Sequence, residues 1–205
     1  GEGRIAISIG MLRPHFGVML RILRVAFTGM LQFAVSMGSW LVLVRMIAVF
    51  GSVALAGYSI AVRIIVFVLL PSWGMAMAAA TLVGQNLGAG KPDRAERSVW
   101  LAGFYNVVFL GAVAVVLVVF AHPLARLFIA DAAVVDVAAA GIRIMALGNV
   151  CYAWGMVMVQ AFNGAGDTLT PTIVNLFCYW LFQLPLAWLL AMRLDLGTSG
   201  IFFAI

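Results

Sequence analysis

Charged residues and histidines are scarce in this sequence of 205 residues, and acidic side chains are absent from the middle of every long apolar run. Only 9% of the residues are charged and 65% are apolar, and the mean hydropathy is +1.16. This composition excludes an ordinary soluble domain and is typical of a protein that crosses a bilayer. His15 and His122 have no Ser, Cys or carboxylate at a catalytic spacing, so we expect no enzyme activity, no metal site and no cofactor.

Two further classes of function lack support in the sequence. Cys151 and Cys178 both lie inside apolar runs, which favours packing roles over a disulfide or a metal site. The net charge of +5 does not indicate a nucleic-acid partner, because the basic residues flank apolar runs and form no single basic face. The segment 88–91 lacks the glycine spacing and the Ser or Thr of a phosphate-binding loop, which argues against ATP-driven activity.

Five long apolar runs and the start of a sixth divide the chain. A helix needs about 20 apolar residues to cross the hydrocarbon core, whereas a strand of a membrane barrel needs only about half as many. We therefore predict an all-α membrane protein, with a linker and interfacial segment over residues 1–24 and a transmembrane lobe over residues 25–205. Since the chain starts at Gly1 and its last run is short, we expect a fragment with an incomplete sixth helix. The predicted spans are 25–50, 53–83, 98–121, 137–162, 171–192 and 198–205.

Prolines and small polar residues predict where these helices bend and end. Pro71 lies inside the second span, where the missing N–H favours a kink. The third span is expected to break at His122-Pro123, followed by a short interfacial helix over 124–129. Thr170 and Pro171 are suited to the N-cap and first turn of the fifth span.

The distribution of Lys and Arg predicts the orientation of the spans. Connections on alternate sides of the bilayer differ in basic residues, and the richer side is expected to be cytoplasmic. This assigns the linker and the loops 84–97 and 163–170 to the cytoplasm of a multi-pass protein in the cell (inner) membrane. The richer side carries Arg4, Arg13, Arg21, Arg24, Lys91, Arg94 and Arg97, against Arg126 and Arg193.

Three arginines, Arg45, Arg63 and Arg143, lie within the outer halves of the spans. One interpretation is that they extend towards the interface and pair there with helix carbonyls or with Asp136. The other is that they form a cationic lining that binds an anionic group.

Uncharged polar residues inside the spans form two stripes at helical spacing. Gln32, Ser36 and Ser39 follow an i, i+4, i+7 pattern, and a second stripe lies on the fourth span. Such groups line a cleft that admits substrate, or they hydrogen-bond between helices. Methionines and aromatic residues nearby either form an adaptable apolar wall or simply pack. The predicted cavity residues are Gln32, Ser36, Ser39, Asn149, Tyr152, Met156, Gln160, Asn175 and Gln183.

The connections between spans resemble motifs of the multidrug and toxic compound extrusion (MATE) transporters. The resemblance covers nearly the whole chain and includes the turn after the first span, where Phe50-Gly51 leads to Gly57-Tyr58. The two main motifs are the segments 83–92 and 160–171. Their characteristic residues are Gly84, Gln85, Gly88, Gly90, Gly164, Gly166, Asp167, Thr168 and Pro171.

The resemblance implies a six-helix lobe, helices seven to twelve of a monomeric twelve-helix transporter whose N-terminal six-helix lobe is missing. Such proteins export small amphipathic, often cationic organic compounds across the lipid bilayer in exchange for H⁺ or Na⁺, by alternating access of two lobes. The sodium-coupled branch has acidic residues where this chain has Val35 and Tyr152. The coupling ion is therefore expected in the missing lobe. A related two-lobe flippase for lipid-linked saccharides and a non-transporting scaffold are the alternatives.

Overall fold

Seven helices form the part of the chain that the computed structural model describes, residues 15–205. Five of them, the first, second, third, fifth and sixth, are long and apolar enough to cross a membrane. The prediction of an all-α, multi-pass membrane protein is thus confirmed. In chain order the helices are α1 (Phe16–Ala48), α2 (Ser52–Gly88), α3 (Pro92–Val119), α4 (Ala121–Arg126), α5 (Ala132–Gly164), α6 (Leu169–Arg193) and α7 (Gly197–Ala204).

Helix α1 begins before the predicted span. It starts at Phe16, inside the segment predicted as a linker, because the sequence contains no proline between Pro14 and Pro71 that would interrupt it. The linker residues 1–14 lie outside the described part of the chain. Helix α2 continues past Pro71 as one helix of 37 residues. At 1.5 Å per residue it is about 55 Å long, so its ends extend beyond a hydrocarbon core of about 30 Å.

The connections on the predicted cytoplasmic side are much shorter than the predicted loops. The connection expected over 84–97 is reduced to residues 89–91, and the one expected over 163–170 to residues 165–168. Glycines that were expected in loops therefore lie in the last turns of α2 and α5, where they allow close helix packing. Gly90 remains in its turn with a φ of +68°, a conformation that favours glycine.

The break expected at His122-Pro123 does not occur there. Both residues lie in the first turn of α4, which begins at Ala121 and ends at Arg126. A proline fits this position because the first N–H groups of a helix have no acceptor within the helix. The short interfacial helix thus exists, but it starts three residues earlier than 124–129.

Helix α6 changes its hydrogen-bond pattern along its length. It is π-helical over Leu176–Gln183 and again over Leu189–Arg193. Pro185 lies just after the first of these stretches and cannot donate the regular helical bond to the carbonyl of Leu181. Wide π turns of this kind are common at functional sites.

Helices α2, α3 and α5 pack closely through small side chains. Alanine or glycine occupies five of the eleven buried positions in each of α2 and α5, which allows the two helix backbones to approach each other. Such close contacts hold the three helices together where lipid provides no hydrophobic driving force. The fully buried small residues include Ala61, Ala76, Ala79, Ala138, Ala139 and Ala153.

Helices α1 and α6 are far less covered. Within the most apolar stretch of each helix, 44% of the residues of α5 are buried, compared with 6% in α6 and none in α1. The described residues of α1 that are buried, Ser39, Leu43 and Ile47, all lie in its second half. The lobe therefore consists of a compact group, α2, α3 and α5, and a more open pair, α1 and α6.

Candidate functional site

The polar stripe of α1 meets the π-helical stretch of α6. The hydroxyl of Ser39 donates to Oε1 of Gln183 at 3.2 Å, and Nε1 of Trp180 donates to the carbonyl of Val35 at 3.0 Å. A Cβ on Gly38 would lie 3.0 Å from the Trp180 ring, so the absence of a side chain there permits this contact. Polar groups of the two helices thus pair across their junction.

The other polar residues of α1 and α6 remain partly accessible. Gln32 and Ser36 are half-buried, and the Ser36 hydroxyl donates to the carbonyl of Gln32 at 3.1 Å. Asn175 on α6 is also half-buried. The side-chain amides of Gln32 and Asn175 lie within the predicted spans, on helices with few buried residues. They are therefore available to a ligand or to water.

The stripe on α5 divides between two surroundings. Asn149 and Tyr152 line a groove of about 320 Å³ beside α7, and the Tyr152 side chain lies next to Tyr179 of α6. Gln160 is half-buried and accepts a hydrogen bond from Asn163 at 3.3 Å. These residues extend the polar surface of the open pair along α5.

Met156, by contrast, belongs to the compact group. Its side chain is 6% exposed, and its sulfur lies 3.6 Å from the hydroxyl of Ser72. That hydroxyl donates to Oδ1 of Asn106 at 2.7 Å, and the Asn106 amide donates to the carbonyl of Ala153 at 3.0 Å. Asn106 and Ser72 were not among the site residues predicted from the sequence. A buried amide in an apolar helix was itself the signal, because it requires partners.

The two MATE-like motifs meet where the ends of α2 and α5 cross. A Cβ on Gly164 would lie 2.3 Å from the carbonyl oxygen of Ala80, and one on Gly84 would lie 3.2 Å from the carbonyl oxygen of Gly164. Only glycine at position 164 permits this backbone contact. The motifs, separated in sequence, therefore form one joint between the two helices.

The second motif also starts α6 and connects it to α1. The carboxylate of Asp167 accepts from the backbone N–H groups of Leu169 and Thr170 at 3.2 and 3.0 Å and from the Thr170 hydroxyl at 2.6 Å. These bonds lower the pKa of Asp167, with that of the Thr170 hydroxyl contributing most. The prediction of Thr170 as the N-cap is wrong. The helix begins directly after Thr168, whose side chain makes no capping bond, and the carboxylate of Asp167 caps the first turn.

Thr168 in turn contacts the first span. Its hydroxyl hydrogen-bonds to that of Thr28 on α1, and the Thr172 hydroxyl donates to the carbonyls of Thr168 and Thr28 at 2.6 and 3.4 Å. The first turn of α6 is thus fastened to α1 at the predicted cytoplasmic end. Pro171, which is buried, completes that turn.

The outer-half arginines do not share one cavity. Arg143 donates through Nε to the carbonyl of Val118 at 3.3 Å and through Nη2 to Nδ1 of His122 at 3.2 Å. His122 contacts Asp136 through Nε2 at 3.2 Å. This arrangement matches the first interpretation, in which arginines pair with carbonyls at the interface.

The other two arginines lie elsewhere. Both are exposed: Arg63 lines a groove between α1 and α2, whereas Arg45 lies in the last turn of α1 and lines neither groove. The residues described by the structure contain no group of three or more His, Cys, Asp or Glu side chains that could hold a metal.

Comparison with known proteins identifies the family. The MatE family model matches residues 25–189, which is most of the chain and includes both motifs. The chain belongs to the MatE family. It is 27% identical over 192 residues to the "Probable multidrug resistance protein NorM" of Thermotoga maritima, covering 93% of this chain and 41% of the relative. A protein of the same printed name from Mannheimia succiniciproducens is 31% identical over 149 residues, covering 73% of this chain and 32% of the relative.

Solved MATE structures have the same fold. A MATE transporter in the bent conformation superimposes with a TM-score of 0.90 at 21% identity, covering 100% of this chain and 45% of that one. A point mutant of the Vibrio cholerae MATE transporter VcmN gives a TM-score of 0.88 at 24% identity, covering 96% of this chain and 45% of that one. The chain thus spans less than half the length of the relatives it matches.

Proposed function

We propose that this MatE-family chain is the C-terminal lobe of a two-lobe efflux transporter that exports amphipathic, often cationic organic compounds. Transport occurs by alternating access in exchange for H⁺ or Na⁺, in a monomer embedded in the inner membrane. Family membership and the printed names of the relatives, which are multidrug resistance proteins, support this function. Their greater length supports a partner lobe of similar size.

The observation that carries the proposal is the uncovered polar surface of the open pair. Gln32 and Ser36 of α1 and Asn175 of α6 are half-buried at membrane depth, although lipid cannot satisfy an amide. A second lobe facing this surface would enclose a cavity with few polar groups and apolar walls, as is usual for small-molecule sites. Tyr152 and Gln183 extend that surface, whereas Met156 would support it from behind.

Coupling is proposed to occur in the other lobe. The acidic residues of the described part of the chain all lie near helix ends: Asp93 and Glu96 in the first turns of α3, Asp131 and Asp136 at the start of α5, and Asp167 and Asp195 on either side of α6. Asp131 and Asp167 cap helices, and Asp136 contacts His122. Ion-coupled transporters usually need an embedded carboxylate whose occupancy changes with conformation. The first lobe would supply it. The basic residues of 84–97 favour a cytoplasmic position for the joint between the two motifs.

The flippase alternative has less support. It requires a cationic cavity for a pyrophosphate, but Arg63 and Arg143 line different grooves and Arg143 is bonded to His122 and a backbone carbonyl. We therefore propose drug export alone.

A matched pair of substitutions tests the proposed cavity. The hydroxyls of Ser36 and Thr81 both donate to a carbonyl of their own helix, at 3.1 Å in each case, so that Leu at either position removes the same bond. Only Ser36 lies on the proposed cavity surface. The test uses cells that lack other efflux pumps and express the full-length transporter. Cells with the Ser36→Leu variant should accumulate about tenfold more ethidium than cells with the wild type, whereas cells with Thr81→Leu should accumulate as much as the wild type. Equal ethidium accumulation with both variants would contradict the proposed cavity. Export that continues unchanged when ionophores dissipate the ion gradients would contradict coupling.

A further inference from the structure

A groove between α1 and α2 is lined by none of the residues assigned to the proposed cavity. Its volume is about 390 Å³, which suits a small organic ligand or a lipid headgroup. Its polar groups are the hydroxyls of Tyr58 and Ser59, the guanidinium of Arg63 and the indole N–H of Trp40. Its apolar walls are formed by Trp40, Val44, Val62 and Val66.

The hydroxyl of Tyr58 is the first sign of a ligand. The residue is 2% exposed, and its hydroxyl has no hydrogen-bond partner among the described residues. The ring stacks on Phe202 of α7 with centroids 6.1 Å apart and an interplanar angle of 18°, which fixes its orientation. The indole of Trp40 lies beside the hydroxyl. Buried hydroxyls normally bond to protein or ligand, so an acceptor is expected in the groove.

The guanidinium of Arg63 is the second sign. Among the side chains that the structure describes, no Lys or Arg lies within ion-pair distance of a carboxylate, and no carboxylate lines this groove. The nearby Ser59 hydroxyl is already used, since it donates to the carbonyl of Leu55 at 2.8 Å. A charged side chain within a membrane span is normally paired. The groove therefore presents a positive charge and a hydroxyl without a hydrogen-bond partner, but no negatively charged group.

We infer that this groove binds a small amphipathic anion. Its carboxylate, sulfonate or phosphate would accept hydrogen bonds from Arg63 and Tyr58, and its apolar body would lie against Trp40 and the valines. Arginine and tyrosine are well suited to this chemistry, because charge-assisted hydrogen bonds are shorter and stronger than neutral ones. The inference does not rest on the proposed export function, since binding can be measured without transport.

A pair of fluorescent probes tests the site in full-length transporter reconstituted in phosphatidylcholine nanodiscs. The probes are 11-(dansylamino)undecanoate and a matched dansyl compound whose carboxylate is replaced by trimethylammonium. The carboxylate probe should bind about tenfold more tightly than the ammonium probe. Arg63→Gln should weaken carboxylate binding about tenfold and Tyr58→Phe about threefold. Arg45→Gln, an outer-half arginine outside the groove, should leave it unchanged.

Further arms of the experiment separate the alternatives. If phosphatidylglycerol in the nanodisc displaces the probe from wild type, the anion is recognised as a lipid headgroup, which supports the same site. Equal binding of both probes, or equal losses in Arg63→Gln and Arg45→Gln, would overturn the inference. The inference would also be overturned if the wild type did not bind the carboxylate probe and Arg63→Gln had a lower thermal stability than the wild type. Arg63 would then pair with a carboxylate elsewhere in the transporter. Unchanged helicity of Tyr58→Phe by circular dichroism excludes unfolding as the cause of its loss.

Discussion

The compact group α2, α3 and α5 and the open pair α1 and α6 use polar residues in opposite ways. In the compact group, Ser72 and Asn106 are both 0% exposed and bond to each other and to a backbone carbonyl. In the open pair, Gln32, Ser36 and Asn175 are half-buried and keep part of their surface free. The first arrangement stabilises a rigid body, and the second leaves groups available for a ligand. The difference indicates that this lobe separates support from binding.

The largest expected effect concerns the joint between α2 and α5. In Gly164→Ala the new methyl group would lie 2.3 Å from the carbonyl oxygen of Ala80, so the two backbones must separate. We expect a loss of about 3 kcal/mol in the free energy of unfolding, measured by denaturation of the purified full-length transporter.

Gly148→Ala on the same helix is the control, because its Cβ would meet nothing within 4 Å. Its stability should equal or slightly exceed that of wild type, since alanine favours a helix. Similar stability of the two variants would show that α2 and α5 do not form the rigid joint described above.

An intermediate effect is expected from removing polar hydrogen bonds, and the loss of stability should be larger in the compact group than in the open pair. Asn106→Leu removes two hydrogen bonds and leaves the buried Ser72 hydroxyl with only the Met156 sulfur as a partner, whereas Ser39→Ala removes one bond to Gln183. Interhelical bonds in membranes average about 0.6 kcal/mol, so we expect losses of about 1–2 kcal/mol and about 0.6 kcal/mol respectively. Thermal unfolding of both variants measures the difference. A larger loss for Ser39→Ala would reverse the assignment of rigid and open regions.

Much of the fold could be predicted from the sequence, because apolar runs of sufficient length and Gly, Pro and Asp at helix ends are local signals. Asp131, for example, precedes the fourth apolar run in the sequence and caps α5 by accepting from the backbone N–H groups of Ala133 and Val134. The ends of the helices were predicted less well. Gly84 and Gly164 read as loop residues by composition, but they are helical because another backbone lies against them.

The candidate site was predictable only as a set of polar stripes. Helical spacing identified which residues share a face, as for Gln32, Ser36 and Ser39, but not which helix that face meets. That Met156 lies behind the surface and that Ser39 pairs with Gln183 depends on the packing angles of three helices. The polar stripes also could not predict that the Tyr58 hydroxyl lacks a hydrogen-bond partner, because this depends on how the helices of the lobe pack.

The smallest expected effect lies in the connection between the two groups, where Asp167 caps α6. Hydrogen bonds from Thr170 hold the pKa of Asp167 below its ordinary value of 3.8. The Asp167 carboxylate therefore contributes its full stabilisation of the folded state when the pH is above the ordinary pKa of 3.8. This contribution is lost as the pH falls through the lower pKa of the folded state. Asp167→Asn, which carries no charge, should show a smaller loss of thermal stability between neutral pH and the acidic range below 3.8 than wild type does. Thr170→Val should lie between the two, because it removes the hydroxyl bond but keeps the backbone bond. Identical acid profiles for wild type and Asp167→Asn would show that the cap does not contribute to the junction of α5 and α6.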